Sequence, residues 1–324
     1  MSTDVKVFYH SHGPEPTYAM LRESVPPGFE LVTLERDDDA ERRRKVRDCE
    51  VIIVAAHPLR RPIIDAAPGL KLVHHQGVGY HDTVEVEALQ ARGIRLALTP
   101  AGTTTGVAEH TILFILAACK RLPYADAELR RGHWHVNTLR PISRELAGST
   151  VGLVGLGRIG RAVAARLRPF DVRVLYTDPA VELSPADARA LGAERVPLAR
   201  LLAESDIVSL HTPLTRESRH MINTRTIGQM REGAYLINTA RGPIVEETAL
   251  VEALRSGRLA GAALDVFEVE PLPPGSPLAE LPNVVLTPHV AAGTRQAMAE
   301  KMRTLFANVA RFYRGEPMEN EVIL

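Results

Sequence analysis

Three side chains in the last third of this 324-residue sequence have the types and the order that a hydride transfer needs. Arg241 stands in Asn238-Thr239-Ala240-Arg241-Gly242, Glu270 in Glu268-Val269-Glu270-Pro271, and His289 in Thr287-Pro288-His289. When hydride reaches a carbonyl carbon the oxygen becomes negative, so the reaction calls for a proton donor and for a fixed charge that holds the substrate. An imidazole titrates near neutral pH and serves in both directions, and a carboxylate bonded to one ring nitrogen fixes its tautomer and stabilises the imidazolium. Pro271 restricts the backbone of Glu270 to extended forms, which helps to hold that acid in place. A guanidinium supplies the charge and, through two parallel hydrogen bonds, the orientation. His289 is therefore the candidate acid-base, Glu270 its orienting partner and Arg241 the substrate clamp.

Upstream lies Gly155-Leu156-Gly157-Arg158-Ile159-Gly160. Thr150 to Val154 reads as a buried strand and Arg158 to Leu167 has helical spacing, which puts the glycines at a strand-to-helix junction. In that geometry Gly155 allows the tight turn, Gly157 lets a pyrophosphate approach the backbone, and Gly160 packs helix on strand. The amides and positive dipole end of the helix then face the phosphates. The next apolar run, Val172 to Thr177, ends at Asp178, 18 residues beyond Gly160, where an acid fits a ribose hydroxyl. A carboxylate repels a ribose 2′-phosphate, and neither Thr177 nor Pro179 supplies a cation, so the sequence points to NAD rather than NADP.

The chain is long enough for about two domains. Its 39 basic and 39 acidic side chains leave no net charge, so nothing recommends a nucleic-acid partner. Cys49 and Cys119 are too few for a disulfide framework or a cysteine-built zinc site, and a reducing, cytoplasmic setting is expected. Met1 to His10 lacks a basic region followed by a long apolar stretch and reads as a first strand rather than a signal. The longest apolar segment, Ile112 to Cys119, is far short of the ~20 residues that cross a bilayer. It reads as a buried helix, and no membrane association is expected. His74-His75 and His133-Trp134-His135 suggest metal binding, but no carboxylate or cysteine of known spacing accompanies them. They are expected to be strand-edge and loop histidines, with no metal.

These side chains must be carried by elements, and two α/β patterns follow one another. The first has strand-like runs at Val5 to Tyr9, Phe29 to Leu34, Val51 to Ala55, Lys71 to His75 and Ile94 to Leu98. The second has runs at Thr150 to Val154, Val172 to Thr177, Asp206 to His211, Ala234 to Asn238, Gly261 to Val266 and Val284 to Thr287. Helix candidates such as Glu246 to Ser256 lie between them, which implies mostly parallel sheets and, in the second pattern, a doubly wound nucleotide-binding domain. Pro271 to Pro277 reads as a rigid loop.

Six motifs in order resemble the D-isomer-specific 2-hydroxyacid dehydrogenases over nearly the whole chain. They are Gly77-Val78-Gly79-Tyr80, Val107-Ala108-Glu109-His110, the run Val154 to Gly160, Asn238 to Gly242, Leu264 to Pro271, and Thr287-Pro288-His289. The resemblance implies an α/β, two-domain architecture, with a Rossmann-type doubly wound parallel sheet inserted into a flavodoxin-like substrate domain. Residues 1–100 and 292–324 would form the substrate domain and residues 101–291 the NAD-binding domain. It also implies a homodimer, with the helix that begins near Val107 as a dimer element.

The same resemblance assigns cofactor contacts. Thr104 would meet the phosphate or nicotinamide side, Gly155, Gly157, Arg158, Ile159 and Gly160 the pyrophosphate, and Asp178 the ribose. Thr212 and Pro213 would lie on the adenosine side, Ala240 and Asp265 at the nicotinamide carboxamide. Asp265 ends an apolar strand, where ligands gather in an open α/β sheet; its plainer role is to cap a turn. The amides of Val78 and Gly79 would join Arg241 and His289 around the substrate.

What the family implies for this chain is NAD-dependent interconversion of a small 2-oxoacid and 2-hydroxyacid. Glyoxylate and hydroxypyruvate come first, with 3-phosphoglycerate and D-lactate behind them. Leu98, where many relatives carry Asn, and Asp82, one position later than the usual acid, bear on the wall of the substrate domain and not on the reaction. Glu270 argues against formate dehydrogenase, whose members usually have Gln there. The chain ends soon after its last helix, so the regulatory domain common in phosphoglycerate dehydrogenases is not expected. Corepressors of similar sequence keep the three residues and use NAD to regulate binding to transcription factors; the lack of a long disordered tail weighs against that role. Phosphite dehydrogenase, which acts on an inorganic oxyanion, shares the triad too.

Overall fold

The computed structural model describes residues 4–324. Met1, Ser2 and Thr3, which open the expected substrate domain and the segment read as a first strand, lie outside the described residues. The chain divides into two compact units: one runs to Thr103 and resumes over Gly293–Leu324, the other is Thr104–Ala292.

The first unit contains β1 (Val5–Tyr9), β2 (Phe29–Val32), β3 (Val51–Val54), β4 (Leu72–His75) and β5 (Arg95–Leu98). The second contains β6 (Thr150–Val154), β7 (Arg173–Thr177), β8 (Ala193–Arg195), β9 (Ile207–Leu210), β10 (Ala234–Asn238), β11 (Leu259–Leu264) and β12 (Val284–Leu286). The chain then returns to the first unit and ends in β13 (Glu321–Val322).

In the first unit the strands run β13-β5-β4-β3-β1-β2, parallel except for β13, which is antiparallel to β5. The β2-β1-β3-β4-β5 order is that of flavodoxin-like sheets. Val51-Ile52-Ile53-Val54 is buried throughout, as a strand covered on both faces must be. Because strand side chains alternate, Phe8, Ile52, Val54, Val73 and Leu96 enter one core, and Val7, Tyr9, Val51, Ile53, Leu72 and Ala97 enter the other. The second core is closed by Met302, Leu305, Phe306 and Val309 of the helix Arg295–Tyr313. His74 is buried between the Thr99 hydroxyl and the Asn308 amide, each at 3.2 Å, and burial holds its imidazole down at about 3. His75 meets Thr83 at 2.9 Å.

In the second unit the order is β12-β11-β10-β9-β6-β7-β8, parallel at every pairing. Successive strands leave β6 first to one side and then, from β9 onward, to the other. The order reverses between β6 and β9, and ligands bind outside the carboxyl ends of the strands at such a switch point. Val154, Leu210, Leu236 and Leu264 fill the core on one face, Val151, Leu153, Tyr176 and Ile237 the core on the other.

The apolar runs of the sequence form the long strands, with shifted ends: Phe29 to Leu34 is strand only through Val32, and the run before Val266 starts at Leu259. The short edge strands β8 and β13 have no such run, since Glu194, Arg195 and Glu321 face solvent. The helix expected near Val107 begins at Thr103 and runs to Lys120. Its Phe114, Ile115 and Ala118 are buried, whereas Leu113 is 52% exposed. Among the described residues no helix is long and apolar enough to cross a membrane.

Candidate active site

At the carboxyl end of β6 the backbone of Gly155 turns through φ +97°, and a β-carbon there would lie 2.6 Å from the carbonyl of His211, just beyond β9. A β-carbon on Gly160 would come within 2.3 Å of the Gly155 carbonyl. These two glycines are thus required by the packing of strand, turn and helix. Gly157 differs: nothing lies within 4 Å of where its β-carbon would stand. The helix Arg158–Leu167 begins there with no side chain capping its first amides. An open backbone and an uncapped helix start fit the pyrophosphate of a dinucleotide, which binds such amides directly. Arg158 and Ile159 open that helix, and the Thr212 amide, with Pro213 after it, borders the turn 3.1 Å from where a β-carbon on Gly155 would stand. Thr104 sits in the first turn of the helix Thr103–Lys120.

Asp178 follows β7, as the ribose acid should, yet its carboxylate is already engaged. Oδ2 accepts the Leu156 amide at 2.7 Å, and Oδ1 accepts the amides of Ala180 at 2.8 Å and Val181 at 2.9 Å. The acid therefore shapes the glycine turn, and with about four lone-pair sites it still has room for a hydroxyl. Thr177 and Pro179 offer no cation to this acid, but folding brings one to its main chain. β8 pairs with β7 and brings Arg195 to the Asp178 carbonyl at 3.0 Å, with Glu182 as that guanidinium's counter-charge at 3.0 Å.

The imidazole of His289 rests on a turn built by Asp265, which is 1% exposed directly after β11. The Asp265 carbonyl accepts the His289 amide at 2.8 Å. Its carboxylate accepts the amides of Val290 at 2.9 Å and Ala291 at 2.8 Å and the Thr287 hydroxyl at 2.5 Å. Thr287 is also 3.0 Å from His110 Nε2. The turn needs this bracing because His289 adopts φ +51°, a left-handed conformation that costs on the order of 1–3 kcal/mol outside glycine. Asp265 thus has the turn-building role that was the plainer reading of its position.

Glu270 Oε2 lies 2.7 Å from His289 Nδ1, and Oε1 accepts the Phe267 amide at 3.0 Å. Burial pushes the Glu270 carboxyl up, but the hydrogen bond and charge of His289, the Phe267 amide and the Arg241 guanidinium outweigh it and hold the group below its usual range. An ionised Glu270 accepts, so the ring hydrogen sits on Nδ1 and Nε2 is the nitrogen left for another partner. Arg241 is set by Asn238 at the end of β10, whose side chain donates to the Arg241 carbonyl at 2.9 Å and accepts the Ala240 amide at 3.0 Å. A β-carbon on Gly242 would overlap the Phe267 carbonyl at 1.8 Å, so only glycine lets the Arg241 turn press against the segment leading to Glu270.

Val78 and Gly79 belong to the other unit, in the loop after β4; Val78 is exposed and the Gly79 carbonyl accepts the Thr83 hydroxyl at 3.0 Å. Leu98 ends β5 with its amide on the Asn320 carbonyl at 3.0 Å, and the Asp82 carbonyl accepts Arg60 at 3.0 Å. The residues that sequence reasoning left without a role are Asn238, His110 and Thr287. Each was quoted in a motif, but Asn238 and Thr287 read as ordinary polar residues at strand ends and His110 as one more helix residue, and only their partners reveal what they position.

The chain is similar to known proteins over nearly its whole length. Residues 112–291 match the family described as D-isomer specific 2-hydroxyacid dehydrogenase, NAD binding domain. The chain is 41% identical over 319 residues to a glyoxylate reductase of Thermofilum pendens, covering 96% of this chain and 92% of that one. It is 39% identical over 282 residues to a D-3-phosphoglycerate dehydrogenase of Archaeoglobus fulgidus, covering 87% of this chain and 53% of that one. Among solved structures, the NAD-dependent formate dehydrogenase of Staphylococcus aureus in complex with NAD superposes with a TM-score of 0.86 at 29% identity, over 98% of each chain.

Proposed function

The chain belongs to the D-isomer-specific 2-hydroxyacid dehydrogenase family, and from that membership we propose that it reduces glyoxylate or hydroxypyruvate with NADH, using His289, Glu270 and Arg241. Membership makes it an NAD-dependent 2-hydroxyacid oxidoreductase; the substrate, the residue roles and the assembly are our reading. The observation that carries it is the 2.7 Å contact between His289 and an ionised Glu270, on a turn braced by the buried Asp265. The high identity to a glyoxylate reductase over nearly the full length of both chains supports the substrate.

In this reading residues 104–292 hold the cofactor and the rest of the chain forms most of the substrate domain. Bound NADH supplies the hydride. The glycine turn holds its pyrophosphate, Asp178 a ribose hydroxyl, Thr104, Thr212 and Pro213 its flanks, and Ala240 and Asp265 the carboxamide. Arg241 grips the substrate carboxylate by two parallel hydrogen bonds, which fixes the carbonyl in one orientation. His289 Nε2 gives its proton to the carbonyl oxygen as negative charge develops there, and takes it back from the hydroxyl in the reverse direction. Glu270 stays ionised throughout and stabilises the imidazolium.

We place the enzyme in the reducing cytoplasm, in keeping with two buried, unpaired cysteines. We assign it a homodimer, in keeping with the apolar side chains that one stretch leaves in solvent: Leu113, Leu122 at 51%, Leu129 at 55% and Trp134 at 77% exposure.

The test is turnover of NADH and NADPH with glyoxylate, hydroxypyruvate, pyruvate and 3-phosphohydroxypyruvate. NADH with one of the first two acids should be fastest, and His289→Ala should lower kcat by about two to four orders of magnitude. Preference for the phosphorylated acid would replace the substrate; near-normal turnover by His289→Ala would remove His289 from the chemistry.

A further inference from the structure

One cluster of ligand-type side chains has no part in the hydride-transfer site. It lies where the helix Leu122–Arg130 ends and the chain turns through Gly132 and His133-Trp134-His135 into the helix Val136–Leu139. The His133 amide returns to the Glu128 carbonyl at 2.9 Å, and this folds the loop over the Glu128 side chain. His133 Nδ1 comes to 2.8 Å and His135 Nε2 to 2.9 Å from the same oxygen, Glu128 Oε2. The ligating atoms of the three residues all lie within 4.8 Å of one another. Tyr124 stacks on His135 with ring centroids 5.9 Å apart and planes at 21°, which orients that imidazole. The other carboxylate oxygen, Oε1, accepts Arg131 at 2.7 Å. The sequence pattern lacked a carboxylate for these histidines; folding supplies one from the preceding helix.

Two ring nitrogens from different side chains converge on one anionic oxygen. Without an ion each nitrogen must carry the hydrogen that fills the gap. With an ion each offers a lone pair instead, and three donors surround one point. Two imidazoles and a carboxylate suit zinc and neighbouring transition ions, whereas magnesium and calcium take oxygen ligands. Bonds of about 2.1 Å in a tetrahedron place donors ~3.4 Å apart, so the present spacing must open by about half an ångström. His133, on an exposed loop, can give that by rotation.

We propose that Glu128, His133 and His135 form a binding site for a divalent transition-metal ion of the zinc class, with its fourth position open to water. The ion ties the end of one helix to the loop that follows and braces the segment exposing Leu129, Trp134 and Val136. Arg131 works against the ion, because its charge shares the same carboxylate.

The experiment titrates the tag-free, chelator-stripped full chain with Co²⁺, read by its visible absorption, and with Zn²⁺ by calorimetry, with Mg²⁺ as control. One ion per chain is expected, with the intense absorption of four-coordinate Co²⁺ and no response to Mg²⁺. His133→Ala and His135→Ala should each weaken binding on the order of tenfold or more, and Arg131→Gln should strengthen it. Zn²⁺ should raise the melting temperature of the wild type and not of the histidine variants, as an ion that binds only the folded chain must. Glu128→Gln keeps the shape of the side chain and serves if an alanine variant melts early without metal; it should lose the Co²⁺ signal as well. Absence of saturable binding, or equal affinity in the variants because the ion sits on other histidines, would overturn the proposal.

Discussion

A left-handed backbone at φ +51° is a costly place for a histidine, and the chain bears that cost at an imidazole aligned with a carboxylate, as it does again at His220, which stands at φ +49° beside Glu268. Arg241, Glu270 and His289 were legible as residues because guanidinium, carboxylate and imidazole each have few other uses in that order after a dinucleotide turn. Asp265 was legible as a strand-end acid, but its bonds to Thr287, Val290 and Ala291 join positions more than twenty residues apart and leave no trace in local sequence. The residue-scale prediction concerns Glu270. Its depressed pKa keeps it ionised across neutral pH, so it contributes no step of its own to the rate profile there. In Glu270→Gln the imidazolium loses its counter-charge, and the high-pH fall of the reductive kcat/KM should move to lower pH. kcat itself should drop about 10- to 100-fold, less than in His289→Ala. A pH-rate series checks this, and an unmoved profile would mean that Glu270 only packs.

At the scale of elements, the turn between β6 and the helix Arg158–Leu167 separates what the fold needs from what a ligand needs. The glycine pattern and its flanking periodicities were readable together, since both are local. The space around each glycine was not. A methyl group on Gly160 collides with the Gly155 carbonyl, whereas one on Gly157 meets open space. Gly160→Ala should therefore lower stability by about 1–3 kcal/mol and weaken NADH binding with it. Gly157→Ala should melt within about 0.5 kcal/mol of the wild type and still lose NADH affinity on the order of tenfold or more. Thermal melts paired with NADH fluorescence titrations check both, and a Gly157→Ala protein that binds NADH normally would put the pyrophosphate elsewhere.

At the scale of the whole molecule, the homodimer proposed above rests on the apolar side chains that residues 113–134 leave in solvent. Light scattering after gel filtration should give twice the mass of the chain, and Leu113→Asp combined with Trp134→Asp should give the mass of one; a wild-type monomer at micromolar concentration would end this reading. By itself the sequence determined which segments are long strands, where a dinucleotide turn lies and which side chains can react, because apolar runs, glycine spacing and side-chain chemistry are properties of neighbours along the chain. Tertiary structure alone decided that Arg195 stands beside Asp178, that His110, Thr287 and Asp265 brace one turn, and that Glu128 meets two histidines. Each of those is a contact made when the chain folds back on itself, at distances set by packing, and residue type and local period carry no record of it.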